Sequence, residues 1–282
     1  MQSVGNFVSI RDKQLDLNNL VDARLYDEIY LLDLRQRIKA AQPFQHIVED
    51  GWFNPQLLEL ILEEFDSPDP TALWRSVSDK NQSTQRSLVN ATLGPASQIY
   101  FNLVNSGWFV QVLSFLTEVD DLLVDAHLYG GGLHETKAGG RFAIHRDFDR
   151  HLRSGLHNEM VMITYLNKSW QPEWHGALEL WDATKSRCVT SIAPEFGRTI
   201  LMRHSRDSFH GHPQPFTPPE GVTRRSLASY YYSNRFAKID REGRHNSLFL
   251  FMSNSDKARH ASKAIMPPML WEMIAKLIRS IK

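Results

Sequence analysis

The runs MVMITYLN (160–167), GALELWD (176–182), CVTSIA (188–193), RTILMRH (198–204) and RRSLASYYYS (224–233) follow one another closely along the chain. Each is rich in β-branched and aromatic residues, and Gly, Pro and Asn punctuate the gaps. Upstream, LLVDAHLY (122–129) and GRFAIHRDF (140–148) extend the same texture. Many short strands at this spacing predict a sandwich or barrel.

Working outward, the texture changes before about Leu122. Residues 16–41 are expected to be helical, with Val21, Leu25, Ile29 and Leu32 spaced for one apolar face. PFQHIVEDGWF (43–53) reads as a short strand ending in a turn. Asn54 and Pro55 are a helix start, continued by QLLELILEEF. Residues 66–70 read as a loop, and 96–118 as a further helix. At the other end, PPMLWEMIAKLIRSIK (267–282) reads as an amphipathic basic helix, with packing on the sheet preferred to membrane attachment. The expected organisation is a helical lead-in over 1–121, a catalytic β-core over 122–236 and an extension over 237–282, all within one catalytic domain.

The bulk properties exclude several classes. Lys plus Arg and Asp plus Glu both number 32, so no global field favours nucleic acid or membrane. Cys188 is the one cysteine and has no internal partner, which fits a reducing compartment. The start MQSVGNFVSIRDKQ lacks a basic end followed by an apolar run. A cytoplasmic protein without internal repeats is expected.

The chemistry sits in GRFAIHRDF. On a strand, residues two apart project to the same face, so His145 and Asp147 lie side by side. SFHGHP (208–213) offers His210 after a strand-like run. Two imidazoles and one carboxylate on one face of an iron(II) ion leave positions open for a bidentate co-substrate and dioxygen. A co-substrate such as 2-oxoglutarate also needs its distal carboxylate neutralised. In GVTRRSLASYYYS (221–233), Arg224 and Ser226 share one face while Arg225 faces the other way. Arg224 is therefore assigned the salt bridge and Ser226 a supporting hydroxyl.

The ordered series HLYGGGLHE, FAIHRDFD, ITYLNKSW, GALELWD, SFHGHPQP and RRSLASYYYS resembles the prolyl-4-hydroxylase-like branch of the 2-oxoglutarate/iron(II) dioxygenases, bacterial and phage members especially. PFQHIVEDGWFNPQLLELILEEF (43–65) is similar to the lead-in of those proteins. The resemblance implies a mainly β fold, a double-stranded β-helix or jelly roll, flanked by helices. It implies that Tyr165 hydrogen-bonds the distal carboxylate beside Arg224, and that Tyr129 lies near the iron-facing end of the co-substrate. It puts the ligand at the first His of HGHP, His210, over His212 and His204. Iron(II), 2-oxoglutarate and dioxygen are the implied cofactors, with ascorbate as an expected stimulant. Asp147 fills the position that halogenating relatives leave open for chloride, so hydroxylation is favoured. Many relatives carry an Arg where this chain has Asn158 and Glu159, so the resemblance does not carry their substrate over to this chain.

Around the metal motif, Arg141, Arg150 and Arg153 are expected to attract an anionic small-molecule or peptide substrate, against the plainer reading of solvated loop charge. His127, His134 and His175 are read as structural or surface residues, and Trp170, Trp174 and Trp181 as packing. Two competing functions are a non-catalytic metal-binding jelly roll and a zinc hydrolase on the same ligands. The second would leave Arg224 and Tyr165 without a task.

Overall fold

Side-chain alternation along two long antiparallel strands organises the molecule. β9 (His157–Tyr165) and β14 (Arg224–Ser233) pair from Ser226↔Tyr165 to Ser233↔His157. Met160 and Met162 of β9 and Leu227 and Tyr231 of β14 belong to one apolar cluster. Val161 and Tyr165 belong to another. A strand buried on both faces reads as a near-continuous apolar run, as MVMITYLN does.

The computed structural model describes residues 6–66, 74–79, 81–88 and 92–234. The helix expected over 267–282 lies outside them. β14 also pairs with β7 (Gly132–Thr136) and with the short β6 (Leu123–Val124). On its far side β9 pairs with β12 (Arg198–Arg203), which pairs with β3 (His46–Asp50). The other wall is built from β8 (Arg141–His145), β13 (His210–His212), β10 (Leu178–Trp181) and β11 (Cys188–Ile192), in the order β11-β10-β13-β8. A hairpin of β4 (Trp74–Ser78) and β5 (Gln82–Ser87) joins the walls, since β5 pairs with both β8 and β7. The result is a mostly antiparallel jelly-roll half-barrel, the double-stranded β-helix expected from the sequence.

Four helices flank it: α1 (Glu28–Ala40), α2 (Pro55–Phe65), α3 (Pro95–Val104) and α4 (Gly107–Thr117). Leu57, Ile61, Tyr100, Phe109 and Leu113 pack with Met160, Met162 and Leu227 against the outer face of the sheet. Tyr100 donates its hydroxyl to Thr164 Oγ1 at 2.8 Å, and Thr164 meets Thr199 Oγ1 at 2.9 Å. Tyr231 donates to the Val104 carbonyl at 3.0 Å. Among the described residues no single helix is long and apolar enough to cross a membrane.

Two helical expectations are corrected in detail. Residues 16–41 do not form one helix. Asp16, Asp22 and Asp27 each accept a hydrogen bond from the backbone N–H two residues on. Such local caps compete with helix continuation and restart the chain each time. Two 3-10 turns therefore precede α1, where Ile29 is 79% exposed and Leu34 and Ile38 are the buried residues. The expected helix 96–118 is two helices. Ser106 caps the second by accepting from the Phe109 N–H. Asn54 caps α2 as expected, accepting from Gln56 and Leu57.

Three pairings had no apolar alternation to announce them. The hairpin of β1 (Phe7–Ile10) and β2 (Lys13–Asp16), the β4–β5 hairpin and β7 are short and mostly polar. In LLVDAHLY only Leu123–Val124 is strand. Asp125 then accepts from the N–H groups of His127 and Tyr129 and turns the chain.

Candidate metal centre and co-substrate cavity

Register places the two imidazoles. His210 stands directly opposite His145 on the β13–β8 ladder, with ring centroids 4.6 Å apart. Gly211 makes this close approach possible. A Cβ there would lie 2.7 Å from the Ala143 carbonyl oxygen and 2.8 Å from that of Phe142. Asp147, just past the end of β8, turns its carboxylate between the rings. Oδ1 lies 3.4 Å from His145 Nε2, and Oδ2 lies 3.7 Å from His210 Nε2. One donor atom from each of the three residues falls within 4.8 Å of the others. The separations of 3.4 and 3.7 Å from Asp147 are near the roughly 3 Å expected when ligands about 2.1 Å from a shared ion stand at right angles.

The donor set has the right chemistry for the ion. His145 Nδ1 donates to the Ala143 carbonyl at 2.8 Å, and His210 Nδ1 donates to the Ser208 carbonyl at 2.9 Å. A proton fixed on Nδ1 leaves the Nε2 lone pair free, and in both residues that atom faces the centre. Burial holds the His210 pKa below its ordinary value, so the ring is neutral at pH 7. Burial alone would raise the Asp147 pKa. The neighbouring His210 and His145 imidazoles oppose this and hold it down to about 2, so the carboxylate is ionised. Tyr230 lines the cavity with Asp147, and burial keeps its phenol protonated. The residues fit a divalent metal with an oxygen and two nitrogens on one side.

The same cavity carries an anion-binding end. Arg224, Ser226, Ala228 and Tyr230, alternate residues of β14, all line it, as do Val161, Ile163 and Tyr165 of β9. Arg224 is buried, and its Nε donates to the Gly176 carbonyl at 2.7 Å. Its guanidinium lies over the Tyr165 ring, 5.0 Å from the centroid, and Nη2 reaches the Tyr165 hydroxyl at 3.4 Å. Among the described residues no carboxylate pairs with it. A buried guanidinium left without an acid is expensive unless an anion completes it. Gly176 has φ of +78°, and a Cβ there would touch Arg224 Cδ at 3.4 Å. Arg225 takes the opposite face and pairs with Asp66 and Glu135.

The structure thus brings together His145, Asp147, His210, Arg224, Tyr165 and Ser226 in one cavity. Tyr129 is not among its lining residues. The Asp125 turn sends it into an adjoining hollow, against His151 and Phe148. On that side His134 and Thr136 of β7 face the cavity instead. The expected anion-attracting residues Arg141, Arg150 and Arg153 also lie outside the cavity lining. Arg141 and Arg153 are exposed, and Arg150 Nη1 donates to the Gly155 carbonyl within its own loop. Besides Arg224, Arg86 of β5 lines the cavity.

Sequence reasoning missed further residues. His134, read as structural or surface, is a wall residue whose ring donates to the Gly130 carbonyl, and burial lowers its pKa to about 4. His212 lines the cavity with no partner for Nδ1, and burial, reinforced by Arg224, keeps it neutral. Tyr230 was readable from strand parity with Arg224. Asn158 and Glu159 do not face the cavity. Asn158 donates to the Phe148 carbonyl, and Glu159 pairs with Arg203 and Ser233, so they brace the loop after Asp147.

Residues 131–232 match the profile of the 2OG-Fe(II) oxygenase superfamily. No curated protein matches the chain in sequence. Among solved structures, a Pseudomonas putida prolyl-4-hydroxylase superposes with a TM-score of 0.51 at 15% identity, covering 72% of this chain and 98% of its own. A Trichoplax adhaerens prolyl hydroxylase, solved in complex with a hypoxia inducible factor oxygen degradation domain peptide, gives 0.53 at 12% identity, over 74% and 92%. A Phytophthora capsici prolyl 4-hydroxylase gives 0.54 at 18% identity, over 83% and 71%. At these identities the structural likeness is one of fold. The profile match, with the His145–Asp147–His210 cluster inside it, assigns residues 131–232 to the 2OG-Fe(II) oxygenase superfamily.

Proposed function

We propose that this enzyme hydroxylates an unactivated C–H bond, with 2-oxoglutarate as co-substrate and succinate and carbon dioxide as co-products. The observation that carries the reading is the pairing, within one cavity, of a two-histidine, one-carboxylate donor set with the acid-free buried Arg224. A hydrolase would use the first and leave the second idle.

His145, Asp147 and His210 would hold iron(II), whose chemistry is activation of dioxygen coupled to oxidative decarboxylation of 2-oxoglutarate. Arg224, with the Tyr165 hydroxyl beside it, binds and orients the distal carboxylate. Ser226 adds a hydroxyl on the same wall. His212 Nδ1, buried near Arg224, gives that end one more polar atom in need of a partner. Tyr230 presents its phenol to the same cavity as Asp147. Val161, Ile163, Leu178 and Phe142 line the cavity with apolar surface and keep water from the reacting groups.

The primary substrate is a peptidyl proline or a small molecule. Solved structures of similar fold bear the name prolyl hydroxylase, which supports the first. The cytoplasm is the proposed compartment, where the exposed free Cys188 stays a thiol.

The test is succinate formed from 2-oxoglutarate with and without iron(II), in the wild type and in His145→Ala. Iron-dependent succinate that disappears in the variant is expected. No iron-dependent succinate across a broad substrate panel overturns the reading in favour of a metal-binding protein or a zinc hydrolase.

A further inference from the structure

On the β4–β5 hairpin, Arg75 stands directly opposite Arg86. Residues directly opposite on an antiparallel ladder share a face, and like charges so placed destabilise the pair. Neither guanidinium has a carboxylate within ion-pair distance among the described residues. Glu135, across the ladder from Gln85, is turned to Arg225. The two arginines line one hollow, whose other walls include Tyr129, Phe148 and Leu88. Arg86 also lines the metal cavity, and Phe148 directly follows Asp147 in the chain. Phe148 in turn packs on Tyr230, with centroids 5.1 Å apart. The hollow therefore adjoins the metal cavity, with Arg86 lining both.

Two facing cations without an acid, set at the rim of an active site, make a receptor for an anion. An oxyanion between them would turn a repulsion into two charge-assisted hydrogen-bonded pairs. Tyr129, Phe148 and Leu88 would cover the carbon skeleton attached to it. The co-substrate is not the occupant, because its carboxylate already has Arg224 deep in the cavity.

Building on the oxygenase reading above, we propose that Arg75 and Arg86 form the subsite for an anionic group, a carboxylate or a phosphate, on the primary substrate. This replaces the expected entrance at Arg141, Arg150 and Arg153. It also gives Tyr129 a place on the substrate side.

The experiment needs neither iron nor turnover. Inorganic phosphate and, separately, acetate are titrated by calorimetry into metal-free protein saturated with 2-oxoglutarate, so that Arg224 is occupied. Binding at a millimolar dissociation constant is expected for at least one of them, weakened about five- to tenfold in Arg86→Met and in Arg75→Met and unchanged in Arg150→Met. The stronger of the two anions tells phosphate from carboxylate. A second readout guards against misfolding: without anion, Arg75→Gln is expected to melt at a higher temperature than the wild type, because the repulsion is relieved. Equal anion affinity in wild type and both arginine variants, no binding of either anion, or a lower melting temperature for Arg75→Gln overturns the proposal. Intact phosphate or acetate binding beside a failed succinate assay would sink the oxygenase reading and leave this subsite standing.

Discussion

The outer and inner faces of the β9–β14 ladder are made by alternate residues of the same strands, yet they settle their polar groups differently. On the outer face, Tyr100, Thr164, Thr199 and Tyr231 find protein partners under the helices. On the inner face, Arg224 lacks an acid, and across the cavity His212 Nδ1 lacks any partner. Ser229 Oγ on the outer face also lacks a partner, but a lone hydroxyl costs far less to bury than a guanidinium without an acid, so Arg224 marks the side where a ligand belongs. Burial alone would not have told the faces apart.

That contrast breaks most readily at Arg224. Arg224→Met is expected to weaken 2-oxoglutarate binding by about 2–5 kcal/mol, roughly thirtyfold or more, as for truncation of one partner of a buried charge pair. Arg225→Met, one residue away on the other face, is expected to leave that affinity unchanged. Calorimetry on the metal-loaded protein checks both, and an equal loss in the two variants would erase the distinction between faces. The reverse test is Leu227→Ala on the outer face. It should lower unfolding free energy by about 2–4 kcal/mol in urea while co-substrate affinity holds.

Gly211→Ala sharpens the account of the metal end. The added methyl group meets backbone oxygen of β8, so β13 must move and His210 with it. Divalent-metal affinity is expected to fall about tenfold to a hundredfold, with Arg224-dependent anion binding preserved. The smallest effect is a pH dependence. His134 has a folded pKa of about 4 against 6.5 unfolded, so the unfolded chain binds more protons between those values. Its contribution is fully present above pH 6.5 and is lost as pH falls toward 4. Thermal melts over that window should show a steeper pH slope for wild type than for His134→Gln, and equal slopes would place the proton elsewhere.

Much of this was readable from the chain because period two and burial coincide in the core strands. His145 with Asp147, and Arg224 with Ser226, follow from parity alone, and so would Tyr230. Tyr129 could not be placed that way. Its position depends on whether LLVDAHLY stays extended, and the Asp125 side chain ends the strand after Val124. Arg75 and Arg86 were invisible for a different reason. WRSVS and QSTQRS carry no apolar rhythm, and their place is set by pairing with β7 and β8, residues distant in sequence. The helical error over 16–41 is of the same local kind: three aspartates outbid the spacing of Val21, Leu25, Ile29 and Leu32.

β5, with β4 along one edge, holds the walls of the half-barrel together along the other, through Gln82↔Phe142 and Ser83↔Arg141 to β8 and Gln85↔Glu135 and Arg86↔His134 to β7. The subsite proposed at Arg75 and Arg86 is thus not housed on a dispensable loop. A chimera that imports another hairpin to change what is hydroxylated must reproduce four backbone alignments, or the seam between the sheets opens and the transplant fails as a fold before it can be judged as a catalyst.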